Sequence, residues 1–228
     1  MTRERYKKEI SLLKDEVYKM GLLAKELIEA STKSFITKDI ELAKSVLDKA
    51  KNSNKLELNI ENKCIQIIAL QQPVAKDLRI ISTCMKVITD FNRLIHLAGN
   101  IAETTVAIGD EPFIKPLIDI PRMIDIGKDM LDKALSAFKN EDLSDYKIMK
   151  NQADLAYGLY EQVRRELLTF IIEDPKKLKN ASDLLIIARF LKRIVAHAYN
   201  IFNRTIYMVT GNIILDHEDA SKLMRDIL

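Results

Sequence analysis

The stretch LQQPVAKDLRIISTCMKVITDFNRLIHLAGNIA, residues 70–102, decides the fold, because a shortened copy of it returns near the C-terminus as DLLIIARFLKRIVAHAYNI, residues 183–201. Superposed on Asn100 and Asn200, the two share arginine at 93 and 193, alanine at 98 and 198 and isoleucine at 101 and 201, and Leu94 answers Ile194. The separation is 100 residues throughout. A unit used twice in this way implies two copies of one helical module. In the first copy, Leu78, Ile81, Met85, Ile88, Phe91, Ile95, Ala98 and Ala102 follow the three-and-four spacing of an amphipathic helix, which should run to about Ala107. Pro73 is expected in its first turn, where a missing N–H has no helical partner.

Working outward, Tyr6, Ile10, Leu13, Val17, Met20, Ala24, Leu27, Ser31 and Ser34 alternate steps of three and four, which predicts a first helix of roughly 45 Å at 1.5 Å per residue. A stripe that long must lie against other helices. Thr37-Lys38-Asp39 breaks the pattern, with Asp39 placed to cap a second helix from Ile40 towards Leu70. Its inward candidates are Ala43, Leu47, Ala50, Leu58, Ile65 and Ile68, although its middle, KAKNSNK, is unusually polar. Gly109, Pro112, Pro116 and Pro121 form the densest group of helix breakers and mark the boundary between halves.

The plan then repeats, with a helix from Arg122 to Phe138, a break at Asn140-Glu141-Asp142, a helix to Ile172, and a third after Asp174-Pro175 that stops at Gly211. Phe35 to Asp39 matches Phe138 to Asp142 at a separation of 103, so even the turn recurs. The fold class is therefore all-α: two tandem three-helix bundles related by an internal repeat, spanning 1–108 and 122–211. A linker at 109–121 joins them, and the tail 212–228 reads as a short further helix.

Composition narrows the function. The 228 residues are 47% hydrophobic and 30% charged, with a net charge of only +3 and the two signs interleaved, which argues against nucleic-acid binding. No apolar run reaches the length of a membrane span and the N-terminus lacks the apolar core of a signal peptide, so the expectation is a cytoplasmic protein. Cys64 and Cys84 lack metal-motif spacing and read as reduced core residues. No glycine-rich phosphate loop, nucleophile-and-base motif or HExxH occurs, so no catalytic residues are expected. Glu57 with Glu61 and Lys86 with Asp90, four apart, read as helix-surface decoration.

Several blocks in order carry a resemblance to a known family: LQQPVAKDLR, the R-x-x-x-x-A-x-N-I ending of both halves, the stretch from Arg165 to Lys177, DLLIIARFLKRI and RTIYMVTG. On these the chain resembles the PhoU family over nearly its whole length. The resemblance implies a fold of two three-helix bundles and a non-enzymatic, cytoplasmic regulator that negatively regulates phosphate uptake and phosphate-starvation signalling. It implies as partners the ATPase subunit of a phosphate ABC transporter and a sensor histidine kinase, and a homodimer is expected. A relative serving a different transporter is the alternative, and a carboxylate-bridged metal-binding bundle of ferritin type is disfavoured because no Glu-x-x-His pair occurs.

The same resemblance locates a departure. Many family members carry E-x-x-x-D in the third helix of each half and bind iron or zinc clusters there; a separation of four residues places two carboxylates on one helical face. Here the corresponding positions are Asn92 and His96, then Lys192 and Ala196, with supporting positions at Asn54 and Tyr157. No metal or other cofactor is expected, and a lysine at 192 opposes a bound cation. His96 and the nearby His197 are read as making interhelical hydrogen bonds rather than as ligands. Asn100 and Asn200 are read as buried amides that fix helix register. Arg93 and Arg193 pair with neighbouring acids or meet a partner, and Asp77 and Asp183 complete the structural or partner-facing set.

Overall fold

The computed structural model describes residues 3–213, within which all regular structure is helical. Helix α1 (Arg3–Thr37) turns at Lys38 into α2 (Ile40–Ala50), whose N-cap Asp39 accepts a hydrogen bond from the Leu42 amide. Helix α3 (Ser53–Gln71) and the long α4 (Ala75–Ile108) complete the first bundle. The second contains α5 (Asp119–Asn140), α6 (Tyr146–Glu173), a single 3-10 turn (Pro175–Lys177) and α7 (Leu178–Thr210). The further helix expected at 212–228 falls almost wholly outside the described residues.

Three details correct the sequence reading. The second helix of the first bundle is two helices, because the chain leaves helical geometry at Asn52 (φ −97°, ψ 5°) inside the polar KAKNSNK segment. Asparagine and serine side chains compete for backbone hydrogen bonds and favour such an interruption. Downstream of it the inward residues are Ser53, Ile60 and Cys64, while Leu58 and Ile65 point to solvent. Pro73 lies before α4 rather than in its first turn, behind Gln72 in the left-handed region (φ 48°) and ahead of an extended Val74. Pro121 instead falls inside the first turn of α5, which begins at Asp119.

Each bundle packs its first, middle and last helices together, and the two bundles meet along α1 against α5 and α4 against α7. Both meetings are antiparallel. Asp15 and Lys14 of α1 reach Lys139 and the cap residue Glu141 of α5, whereas Lys25, farther along α1, reaches Asp132, earlier in α5. On the other side, Asp90 of α4 meets His197 of α7, and Arg79 near the start of α4 lies beside Gly211 at the end of α7. The buried apolar side chains form one core running from Ile10 to Met208, with Phe35, Phe91, Phe138 and Phe202 among its largest fully buried members. The linker is pinned to the far bundle by Lys115 with Glu166, by Glu111 with Lys179 at 2.7 Å, and by the Asn180 amide donating to the Pro112 carbonyl at 2.8 Å.

Candidate functional site

The α3-facing flank of α4 presents Asn92 and His96, one turn apart. Asn92 is buried, and its Nδ2 donates to Asn54 Oδ1 at 2.8 Å and to the Glu57 carboxylate. His96 Nε2 meets the same Asn54 Oδ1 at 2.9 Å, and because that oxygen only accepts, the ring donates. Glu57 is thus the second partner of Asn92 rather than surface decoration. Cation ligation needs lone pairs turned inward, whereas here the protons of Asn92 and His96 fill the space between the oxygens. The one carboxylate present already accepts an amide proton, so the residues do not fit a multinuclear metal centre. Among the described residues, no three His, Cys, Asp or Glu side chains converge.

At the repeat-related position on α7, Lys192 carries its own positive charge. Its ammonium lies 4.6 Å from the Tyr160 ring centroid and 5.3 Å from that of Tyr157, one turn apart on α6. Cation–π attraction holds it in that aromatic clamp. Ala196, one turn on, has no atom that can ligate. This position does not fit a metal either.

His197 points the other way, into the meeting of α4 and α7, where its Nδ1 lies 2.7 Å from Asp90 Oδ1 with both side chains largely shielded. Both histidines therefore make the interhelical hydrogen bonds expected of them. Asp90 is committed to His197, which corrects its reading as a surface partner of Lys86. A cleft of about 570 Å³ opens beside this pair, lined by Lys86, Thr89, Asn200, Asn203, Arg204 and Tyr207 among others.

Asn200 is exposed and Asn100 half-buried, and neither side chain has a hydrogen-bond partner among the described residues. The register role was inferred from burial, and neither amide is buried. Arg93 and Arg193 are exposed and likewise take no acidic partner among the described residues. Asp77 is half-buried beside Tyr6, and burial together with this carboxylate pushes the Tyr6 phenol up to about 12. Burial also raises Asp183, with Lys179 opposing the shift and Glu111 adding to it. Cys64 and Cys84 are buried and unpaired; burial raises both thiols, Cys64 to about 12, which removes thiolate reactivity near neutral pH.

Sequence reasoning missed the Asn54–Glu57 pair and the Tyr157–Tyr160 clamp as units. The signal was available, since both pairs are separated by three residues and so share a helical face.

Fold and site together define a tandem-repeat helical protein whose distinctive side chains lie on helix faces rather than around a reaction centre. The PhoU domain profile matches residues 17–105 and 120–205, and the chain belongs to the PhoU family. It is 36% identical over 207 residues to the phosphate-specific transport system accessory protein PhoU homolog of Aquifex aeolicus, an alignment covering 91% of this chain and 94% of that one. The corresponding homolog 1 of Methanothermobacter thermautotrophicus is 34% identical over 173 residues, covering 75% and 79%. The crystal structure of PhoU from Pseudomonas aeruginosa superposes with a TM-score of 0.87 at 26% identity, covering 91% of this chain and all of that one.

Proposed function

We propose that this chain is a non-enzymatic regulator of phosphate transport, acting in the cytoplasm as a homodimeric adaptor that restrains uptake and phosphate-starvation signalling when phosphate is plentiful. The observation that carries the reading is its likeness, over nine-tenths of its length, to a relative named as a phosphate-specific transport accessory protein. The partners in this reading are the ATPase subunit of a phosphate ABC transporter and the cytoplasmic part of a sensor histidine kinase. Helix faces lined with charged and amide side chains suit such contacts better than turnover of a small molecule. Purified protein mixed with each partner at high and at low phosphate should form a complex with at least one of them. Absence of binding to both, under both conditions, sinks the reading.

Within this reading the protein works without the family's metal clusters. Hydrogen-bond donors fill the first position and an ammonium fills the second, which supports that view. Protein purified without chelator should contain iron and zinc far below one atom per chain by elemental analysis, and a stoichiometric amount of either would overturn the metal-free reading. The same exchange of ligands favours, as a second reading, a member turned to a different transporter. Binding to a non-phosphate transporter's ATPase, with none to the phosphate transporter's, would select it.

A further inference from the structure

The charge on this molecule is unevenly partnered. Along α1, α2, α3 and α5, several lysines are matched with acids on neighbouring helices: Lys139 with Asp15 at 2.6 Å, Lys25 with Asp132 at 2.5 Å, Lys63 with Glu16 at 2.6 Å and Lys49 with Glu26 at 2.5 Å. Exposed lysines without an ion pair among the described residues also occur on α1, at Lys7, Lys19 and Lys33, but on the outer face of α4 and α7 such cations gather together. Lys86, Arg93, Arg189, Arg193 and Arg204 are all exposed, and none takes an acidic partner among the described residues. These five exceed the net charge of the whole chain, +3, so the remaining surface carries no net positive charge.

Helical periodicity places them together. On α7, residues 189, 193, 200 and 204 share one face, and on α4 so do 86, 93 and 100. Since the helices run antiparallel, Arg93 and Arg193 lie near the middle of the shared groove, with Lys86 and Arg204 converging on the cleft at one end. From Arg189 to Arg204 the rise along α7 is about 22 Å, or four helical turns. Of the acids nearby, Asp90 lines the cleft with Lys86 and Arg204 but is largely shielded and turned to His197, which leaves five cations against one carboxylate, and exposed Glu103 follows His96 by two turns on the α3-facing side. A groove between two antiparallel helices accepts a third helix at about 8–10 Å between axes. Arginines arranged along such a groove favour carboxylates, which their planar forks bind in pairs.

We propose that the outer face of α4 and α7 is the docking surface for an acidic helical segment of the transport ATPase, which would place about four turns of glutamate- and aspartate-bearing helix over Arg93 and Arg193. This rests on the adaptor function proposed above and names the surface through which it works. The mostly balanced charge of the chain and the straight, short stripe suit a protein helix better than a long polyanion such as nucleic acid.

The test is binding of the purified transporter ATPase subunit to three forms of the full chain, followed by calorimetry at 50 and 300 mM salt. They are the wild type, the triple variant Arg93→Glu, Arg189→Glu, Arg193→Glu, and the control Lys7→Glu, Lys19→Glu, Lys33→Glu, which makes the same charge change at exposed sites on α1. The α4/α7 variant should bind at least 10-fold more weakly with a flatter salt dependence, and the control should change less than twofold. A fourth form, Arg93→Gln, Arg189→Gln, Arg193→Gln, should fall between the reversed form and the wild type, and because none of these arginines holds an ion pair among the described residues, all forms should melt within a few degrees of the wild type. Equal losses in both charge-reversed forms, or in neither, overturn the docking surface while leaving the adaptor reading intact. A wild type that binds no ATPase overturns both. If reversal abolishes binding to phosphatidylglycerol vesicles but not to the ATPase, the surface belongs to a membrane and the proposal fails. It also fails if reversal alters only the stability of the full chain relative to one ending at Ile213, because the cations would then serve the chain's own Asp216, Glu218 and Asp219.

Discussion

Asn92 donates both of its amide protons, one to Asn54 and one to Glu57. Aspartate in its place has the same shape and no protons, so Asn92→Asp brings two carboxylates together and leaves the Asn54 oxygen with only the His96 donor. The expected cost is about 1–3 kcal/mol at neutral pH, as for a buried group stripped of its partner. It should shrink towards pH 5, because protonating one carboxyl of the pair restores a donor. Thermal melts of both forms at pH 7 and pH 5 check this, and an unchanged midpoint at pH 7 would show that those protons do not hold the cluster. Gly21 makes a contrasting case, in which nothing polar is involved. A Cβ built there would stand 2.4 Å from Leu135 Cδ2 and 2.7 Å from Phe91 Cζ, where α1 meets both α4 and α5. Alanine favours a helix over glycine by up to about 1 kcal/mol. Here overpacking should outweigh that preference, and Gly21→Ala is expected to lower stability in urea by about 1–3 kcal/mol net.

Turns between helices show how the repeat survives in structure and where it was legible. Lys38 and Glu141, which correspond at the 103-residue separation seen in the sequence, both close a helix in the left-handed region, at φ 55° and 59°. Gly109 and Gly211 end α4 and α7 with positive φ as well, at 59° and 82°. The matched Phe35–Asp39 and Phe138–Asp142 turns therefore carried real information about backbone geometry. What each cap does with its side chain was not legible, because it depends on helices distant in sequence. Lys38 reaches the Glu111 carbonyl and the Phe113 ring, while Glu141 joins Lys14 of α1 at 2.8 Å and Lys76 of α4 at 3.2 Å. The interruption at Asn52 escaped for another reason. Leu47, Leu58 and Ile65 share a face only in a continuous helix, and one residue out of helical geometry resets the phase of everything after it. Glu141 yields a prediction at this scale. The hydrogen bond from Lys14 holds its pKa below the ordinary glutamate range, opposed by burial and helped by the Lys14 charge and, more weakly, by Lys76. A depressed folded-state pKa stabilises above the unfolded value and loses that contribution as pH falls through the folded one. Glu141→Gln should thus cost about 0.5–1 kcal/mol at pH 7, a partly screened contribution, and nearly nothing at pH 3. Urea titrations at the two pH values measure the difference directly.

For the whole molecule, the sequence announced two modules but not how they join, since amphipathic stripes show that a face is buried and not against which helix. The join turns out to be extensive: α1 lies on α5 and α4 on α7, and the buried residues form a single core rather than one per bundle. Gly21 sits on that join, whereas Gly127 lies inside the second bundle, where its added Cβ would stand 3.3 Å from Ile194 Cγ2 of α7. Neither glycine stood out in the sequence, because a helical glycine is informative only when the neighbour it admits is known. The cationic stripe on α4 and α7 was half visible, in Arg93 and Arg193, but the lack of acidic partners among the described residues required the three-dimensional arrangement of every other charge. A shared core has a thermodynamic consequence. If each bundle were stable alone, local opening energies would divide into two groups; if the join contributes much of the burial, neither half retains its core when the other opens, and the slowest amides of both must exchange by one global unfolding. Native-state hydrogen exchange read by mass spectrometry should therefore give matching free energies for the centres of α4 and α7, and Gly21→Ala should lower both by the same amount although Gly21 lies only in the first bundle. A drop confined to the first bundle would mean that the two halves unfold independently.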